Sequence, residues 1–401
     1  MISRMHFAPT FARLSSHAVL WRLFVVLALL LSGASIALAG PREQAARIHD
    51  RLAGVPADEA TLTQMAAQLP NNPTAAADIA MNNPNFYAVT LKNFAAPWTN
   101  RDQSAFVPLN DYVALVMGMV RDKVPFNQIL TANMMYVAPG VSPPPSPTSN
   151  AHFEALETRM RAPDFNQSEL SPTTQTAIYG TPDAATAGAI TTRGAAEAFF
   201  IAGTNRAMFR FTLMNHMCMD MEQVLDTSVA PDRIRQDVSR SPGGDSRVFM
   251  NNCIGCHAGM DPMAQAFAYY NFDTTSGRMV YDSSAVHPKY FNNDTTFPDG
   301  FVTPDDSWHN HWRQGQNALL GWNQALPGQG SGAKSLGAEL AGTDAFAQCQ
   351  VKKVFRAVCL RDPVDATDHS KVDAITTTFR TSNFDLKQVF AETAGYCSQG
   401  L

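Results

Sequence analysis

The pentapeptide that runs from Cys253 to His257 constrains this chain more than any other stretch of its sequence. It reads Cys-Ile-Gly-Cys-His, and two cysteines separated by two residues and followed directly by a histidine are typical of a c-type haem attachment site. Cys253 and Cys256 would form thioether bonds to the two vinyl groups of one porphyrin, and His257 would be the proximal iron ligand. The sequence therefore predicts one covalent haem c bound by these three residues.

Two other uses of such a cysteine pair agree less well with the surrounding sequence. A thioredoxin-like redox pair is expected where a strand turns into a helix, and no strand is predicted before Cys253. A zinc site needs a fourth ligand and usually a second paired motif, which the chain lacks. Haem c is therefore the predicted cofactor.

The first 39 residues have the pattern of a signal peptide. They carry three arginines and no acidic residue, followed by the apolar run 23–31 and the sequence Ala37-Leu38-Ala39. A basic start, an apolar centre and an A-x-A site predict export to the periplasm, with cleavage before Gly40. An uncleaved membrane anchor is the alternative, because the apolar stretch of about 17 residues reaches the lower limit for crossing a bilayer.

The charge balance argues against a nucleic-acid partner. The net charge of −5 includes the three leader arginines, so cleavage would leave a chain of net charge −8. Proteins that bind nucleic acid usually present a basic patch or stripe, and no such footprint is visible in this sequence. Contact with a membrane is expected only through an uncleaved leader.

Four further cysteines are expected to form two disulfide bonds, because exported proteins meet oxidising conditions. They are Cys218, Cys349, Cys359 and Cys397. Cys349 and Cys359 are predicted on one helix with their Cα atoms about 15 Å apart, beyond disulfide reach. Two pairings remain, and the one that joins Cys359 to Cys397 and Cys218 to Cys349 is favoured, because Cys359 and Cys397 are predicted on helices with a short connection.

The helical patterns and loop signals predict a mainly α, multi-segment protein whose c-type haem motif lies in a loop-rich middle domain. The predicted segments are an N-terminal helical domain, a proline-rich linker, a haem c domain and a C-terminal helical segment, with bounds 40–138, 139–150, 151–343 and 344–401. The longest helix is predicted from about Gly194 to Leu225, and Asp261-Pro262 is typical of a helix start. One short hairpin is expected within 273–331, and two helices, near 344–360 and 386–396, should close the chain.

The sixth iron ligand is not determined by the motif. Met279 and Met217 are the candidate distal ligands, and Met217 belongs to a group of methionines in 214–221. The same group also fits an ordinary core stripe, because methionine fills irregular gaps, or a copper(I) site, because thioethers are soft ligands. His309 and His311 lie in a predicted loop and are expected at the surface.

Arginines just before the motif are candidate partners for the haem propionates, because a guanidinium matches a carboxylate in a bidentate contact. They are Arg233, Arg235, Arg240 and Arg247. A solvated basic loop is the equally simple interpretation.

Several pieces of the chain resemble the Planctomycete-cytochrome-like proteins, a family of exported proteins of unknown function with one embedded C-x-x-C-H. The similar pieces are 124–132, the haem block from Cys256 to Asp273, 340–349 and 379–387. The resemblance implies a haem c, electron transfer and a Cys218–Cys349 bond, but it names no substrate. The chain departs from the family after Asp226, where a proline run is usual.

Three functions follow from these expectations. The first is a periplasmic monohaem cytochrome that passes single electrons to or from a partner protein that the sequence does not identify. The second is a haem enzyme with an open sixth position that acts on peroxide or another small molecule. The third is a structural or assembly component in which the haem serves to fold the middle domain.

Overall fold

A computed structural model describes residues 40–399, so the predicted signal peptide lies outside the described residues. The mainly α prediction is confirmed, since fifteen α-helices account for most of the regular structure from 40 to 399. The α-helices are α1 Pro41–Ala53, α2 Glu59–Gln68, α3 Pro73–Met81, α4 Lys92–Ala95, α5 Asp111–Arg121, α6 Ala151–Met160, α7 Gln175–Tyr179, α8 Arg193–Phe199, α9 Arg206–Met217, α10 Ser246–Val248, α11 Ile254–Ala264, α12 Gly332–Ala341, α13 Asp344–Cys359, α14 Ala366–Thr381 and α15 Leu386–Ser398.

The described residues contain six short strands, which form three two-stranded sheets. The strands are β1 Met135–Val137, β2 Ser171–Thr173, β3 Tyr270–Asp273, β4 Arg278–Tyr281, β5 Ser307–His309 and β6 Gln329–Ser331. All three pairs are antiparallel. β3 and β4 form a short hairpin that begins at Tyr270, three residues before the region 273–331 in which one was expected. Within residues 40–399 the strands therefore build no central sheet, and β1 is buried in the core.

One hydrophobic core joins the segments predicted as separate domains. Its buried members run from Ile48 in α1 through Val116 in α5 to Phe355 in α13 and Phe390 in α15. The N-terminal helices α1 and α3 pack directly on the C-terminal helix α15. The apolar residues of α15 recur at the three- and four-residue spacing that buries one helix face, so the last helix closes the core begun by the first.

Two disulfide bonds attach helix α13 to its neighbours. Cys218, directly after α9, is bonded to Cys349, and Cys359 at the end of α13 is bonded to Cys397 in α15. This is the pairing that the sequence favoured. Because Cys349 and Cys359 do lie on one helix, each has to find a partner elsewhere in the chain.

The single long helix predicted from 194 to 225 is wrong. The chain forms α8 and α9 instead, separated by a loop in which Gly203 and Asn205 have positive φ angles. Helix α9 ends at Met217 because Cys218 also adopts a left-handed conformation, with φ of 55°. Glycine and asparagine tolerate that region, which is the local reason for the first break.

The predicted helix start at Asp261-Pro262 is also wrong. Helix α11 begins at Ile254, directly after a π-helix from Phe249 to Cys253, and Pro262 lies inside it. Asp261 therefore does not cap the helix, and its side chain points to His257 one turn earlier. The candidate motif begins at the end of the π-helix and continues into α11.

Three helices close the chain where two were predicted. The additional one is α14, which Asp365 caps by accepting a hydrogen bond from the backbone of Asp368. Its buried residues Val372, Ile375 and Phe379 have helical spacing, so the pattern was present in the sequence.

Candidate functional site

The two motif cysteines project from neighbouring turns of one helical stretch. Cys253 ends the π-helix and Cys256 lies three residues later in α11, a spacing that places both on the same side of the helix. Both are partly buried free thiols, whereas the other four cysteines form disulfides. The Sγ atom of Cys256 lies 3.7 Å from the backbone oxygen of Met221.

His257 is oriented by the carboxylate of Asp261. The two side chains lie one helical turn apart, with 3.0 Å between Nδ1 of His257 and Oδ2 of Asp261. An ionised carboxylate only accepts hydrogen bonds, so Nδ1 carries the proton and donates it. The side chain of His257 is 20% exposed, and Nε2 has no hydrogen-bond partner among residues 40–399. Nε2 is therefore the nitrogen that can bind a metal.

Asp261 lies at the centre of a buried group of four charges. Arg206 donates from Nε at 2.8 Å and from Nη2 at 3.1 Å, and it also pairs with Asp237 at 2.6 Å. Arg235 lies 3.9 Å away on another side. Burial favours the neutral acid, but Arg206 and Arg235 outweigh burial and hold the pKa of Asp261 well below its usual range. The carboxylate that holds His257 is therefore ionised.

The thiol of Cys256 has an environment that disfavours the thiolate. Burial raises its pKa above the usual value, and the nearby carboxylates of Glu222 and Asp220 raise it further. Reactive dithiol pairs need the opposite environment, with positive charge or a helix N-terminus that lowers the thiol pKa.

Exposed apolar side chains lie around the motif. Val248 and Met250, just before Cys253, are 36% and 53% exposed, and Leu225 is 37% exposed. A methyl group added at Gly255 would meet the Leu225 side chain at 2.6 Å, so Leu225 covers the helix between the two motif cysteines. An apolar surface beside two free thiols suits a flat hydrophobic cofactor.

The four arginines before the motif have different surroundings, and a uniformly solvated basic loop is not observed. Arg235 is almost fully buried against the ring of Tyr290. Arg240 donates to three backbone carbonyls of its own loop, and Arg233 donates to the backbone of Ser307. The side chain of Arg247 is 83% exposed and pairs only with Asp245. Arg247 is therefore the member of the group most accessible to an external carboxylate.

Both predicted distal methionines are buried in the main core. Met279 lies on β4 opposite Phe272 and is 6% exposed, and its hairpin packs on α8. Met217 is 1% exposed in the last turn of α9, next to the Cys218–Cys349 disulfide.

The two loop histidines lie side by side. The rings of His309 and His311 stack with centroids 4.4 Å apart, and Nε2 of His311 lies 2.8 Å from Asp232. Strand β5, which ends at His309, packs against α11. The two histidines, which the sequence analysis placed in a surface loop, are therefore neighbours of the motif helix.

Asp261 is a residue of the candidate site that the sequence analysis did not identify. Asp261 was interpreted as a helix cap, so its contact with His257 was not expected. The two residues are four apart in one helix, which places their side chains on the same helix face.

The described range contains neither a further metal-binding cluster nor a membrane-spanning helix. Within residues 40–399, no group of three or more His, Cys, Asp or Glu side chains is arranged to hold a metal ion. No helix in the same range has the length and apolar character needed to cross a membrane. Comparisons of the chain with protein-family models, with curated proteins and with solved structures found no match.

Proposed function

We propose that this protein is an exported, periplasmic c-type cytochrome that binds one haem through Cys253, Cys256 and His257 and transfers single electrons. The observation that carries the proposal is the hydrogen bond from Nδ1 of His257 to the buried carboxylate of Asp261. Histidines that bind metals usually donate their second ring nitrogen to such a partner, which sets the ring orientation and the tautomer.

The side chains present fit a covalent haem. Cys253 and Cys256 are free, partly buried and on one side of the helix, as two thioether bonds to one porphyrin require. Nε2 of His257 has no hydrogen-bond partner in the described part of the chain, and Met250 and Leu225 expose apolar surface near the motif. The resemblance to the Planctomycete-cytochrome-like proteins supports the same cofactor.

Each residue then has a defined role. A bound haem would supply a one-electron couple between ferric and ferrous iron. Cys253 and Cys256 would anchor it, and His257 would hold the iron from one side. Asp261 would increase the electron donation of His257 by drawing on the Nδ1 proton, and Arg206 and Arg235 would keep the carboxylate charged in its buried position.

A haem enzyme with an open sixth position is the second candidate. The observation that favours it is the burial of both predicted distal methionines, Met217 and Met279, in the main core. A side chain packed in a core would have to leave its neighbours before it could bind iron. An open position would admit peroxide or another small ligand.

Haem attachment can be tested by producing the full chain, with its leader, in a host that matures c-type cytochromes. We expect a periplasmic protein whose haem spectrum survives denaturation and acid extraction, because thioether bonds are covalent. The double variant Cys253→Ala/Cys256→Ala should lose the extraction-resistant haem, and His257→Ala should lose the native spectrum. His311→Ala is the matched control, since it removes a histidine on an element near the motif helix. A wild-type chain without haem would refute the proposal.

Added carbon monoxide and cyanide separate the two candidates. A low-spin spectrum that neither ligand changes indicates a six-coordinate electron carrier. A high-spin spectrum that shifts on addition of either ligand indicates an open position and favours the enzyme.

A further inference from the structure

A cavity of about 680 Å³ lies between the end of α9, the segment that follows it and the second half of α13. Its size falls within the range of about 300–1,000 Å³ that is usual for small-molecule sites. Met219, Asp220 and Gln223 line it, and Met221 of the same segment contacts Cys256. The cavity is therefore a neighbour of the motif, although none of the three motif residues lines it.

One wall of the cavity is aromatic and apolar. Phe94 and Trp98 meet edge to face with ring centroids 4.8 Å apart. Pro97, Met214 and Met219 are further apolar residues of the lining. Flat aromatic rings and adaptable methionine side chains suit a flat apolar ligand.

The lining of the cavity also includes two lysines that no carboxylate of residues 40–399 balances. The two lining carboxylates already have partners, because Asp220 pairs with Arg210 at 2.6 Å and Asp362 pairs with Arg356 at 2.7 Å. Lys352 and Lys353 also line the cavity. Neither lysine forms a salt bridge with any carboxylate of the described range.

The contacts of the two lysines are neutral. Nζ of Lys352 lies 3.1 Å from the side-chain oxygen of Gln348. Nζ of Lys353 donates to the backbone oxygen of Asn215 and lies 3.1 Å from the centroid of the Trp98 ring. Burial, with a smaller contribution from Arg356, lowers the pKa of Lys353 well below its usual range. A bound carboxylate would favour the charged form, so both lysines have unused capacity for an anion.

We propose that this cavity binds a small organic anion with a flat apolar body, such as an aromatic monocarboxylate. The carboxylate would lie against Lys352 and Lys353. The ring would lie against Phe94, Met214 and Met219, because Nζ of Lys353 already lies over the Trp98 ring. Binding at this position requires no cofactor, so the binding experiment tests this site independently of whether the protein carries haem.

Isothermal titration of the full-length protein with naphthalene-2-carboxylate tests the site, with naphthalene-2-carboxamide as the uncharged analogue of the same shape. We expect the carboxylate to bind at least about tenfold more tightly than the amide, as hydrogen bonds to charged groups imply. Lys353→Met and Lys352→Met should each weaken carboxylate binding by about tenfold and leave the amide nearly unchanged. Lys334→Met, on α12 and outside the cavity lining, should leave both affinities unaltered.

Equal affinity for the carboxylate and the amide would overturn the proposal, as would unchanged carboxylate binding in both cavity variants. Absence of saturable binding in the wild type would overturn it too. If circular dichroism shows that Lys353→Met fails to fold, Lys352→Met decides the question, because Lys352 contacts only Gln348 among the contacts described above.

Discussion

Asp261 links the candidate metal ligand to two arginines through one buried carboxyl group. Arg206 and Arg235 keep it ionised, and the carboxylate accepts a hydrogen bond from Nδ1 of His257. A carboxylate in this position makes the imidazole a stronger electron donor, which stabilises ferric over ferrous iron. At the residue scale, the structure thus suggests how the chain would set a reduction potential.

Replacement of Asp261 by Asn should raise the reduction potential of the haem-loaded protein. An amide oxygen is a weaker acceptor than a carboxylate, so His257 donates less to the iron. A tenfold change in the relative affinity for the two oxidation states corresponds to about 59 mV for one electron, and we expect a rise of this order in a redox titration followed by visible absorption.

Asp237→Asn is the matched control for this measurement. Asp237 binds the same Arg206 and lies in the same buried group, but it does not contact His257. Both variants should lose stability because each leaves a buried arginine with one partner fewer. Only Asp261→Asn should change the potential, and an equal shift in both variants would contradict the positioning role.

Lys289 is a buried cation whose protonation should affect stability. Its Nζ atom donates to the backbone oxygen of Phe200 at 2.8 Å and to Asn271 at 2.9 Å, with no carboxylate partner in the region described. Burial lowers the pKa of Lys289 to about 7. In the unfolded chain a lysine has a pKa of about 10.4.

The unfolding free energy of the wild type, relative to Lys289→Met, should rise between pH 7 and pH 10. In this window the unfolded chain binds a proton at residue 289 that the folded protein has released, so stability increases with pH. Below pH 7 both states are protonated and the difference should level off. Denaturant unfolding at several pH values measures this difference, and a flat difference from pH 7 to pH 10 would contradict the buried-lysine assignment.

At the scale of elements, helix α11 determines the geometry of the candidate site. Its glycines allow two close approaches, one by Leu225 at Gly255 and one by Trp312 at Gly259. The two neighbours differ, because Leu225 is partly exposed whereas Trp312 is fully buried. The first can move aside and the second cannot.

Gly259→Ala should therefore destabilise the protein, whereas Gly255→Ala should be tolerated. A methyl group at 259 would lie 1.9 Å from Nε1 of Trp312, and overpacking of this kind costs roughly 1–3 kcal/mol. At 255 the helix-forming advantage of alanine, up to about 1 kcal/mol, should offset the movement of Leu225. Thermal and denaturant unfolding of both variants provide the measurement, and equal stability would show that Trp312 can shift.

Some local signals of these elements are present in the sequence, although α14 was not among the predicted helices. The caps Asn110 and Asp365 and the apolar spacing of α13 and α14 follow patterns that are readable in the sequence. The break between α8 and α9 and the early start of α11 follow less directly from local preference. In α11 a proline inside the helix is tolerated because the surrounding contacts outweigh its local cost.

At the scale of the whole molecule, the two disulfides restrict the unfolded chain to different extents. The Cys218–Cys349 bond spans a sequence separation of 131, and the Cys359–Cys397 bond spans 38. Helix α13 carries one cysteine of each bond, so both act on the part of the core where the two ends of the chain meet.

Removal of the longer link should cost more stability than removal of the shorter one. The chain-entropy relation predicts about 5 kcal/mol for Cys218→Ala/Cys349→Ala and about 4 kcal/mol for Cys359→Ala/Cys397→Ala. Denaturant unfolding of the two double variants tests the order. A larger loss for the shorter loop would mean that native contacts, rather than the unfolded chain, dominate the effect.

The sequence by itself determined the features that depend on local spacing: the helical class and the distance that prevents Cys349 from pairing with Cys359. It also predicted the haem motif, because thiols and imidazole act through their positions along a few residues. Only the tertiary structure decided that Asp261 holds His257, that Arg235 and Arg240 serve internal contacts, and that Lys352 and Lys353 line one cavity with Phe94 and Trp98. Most of those contacts join residues that are far apart in the chain. The contact of Asp261 depends on a helix boundary that packing sets. No local sequence pattern encodes either.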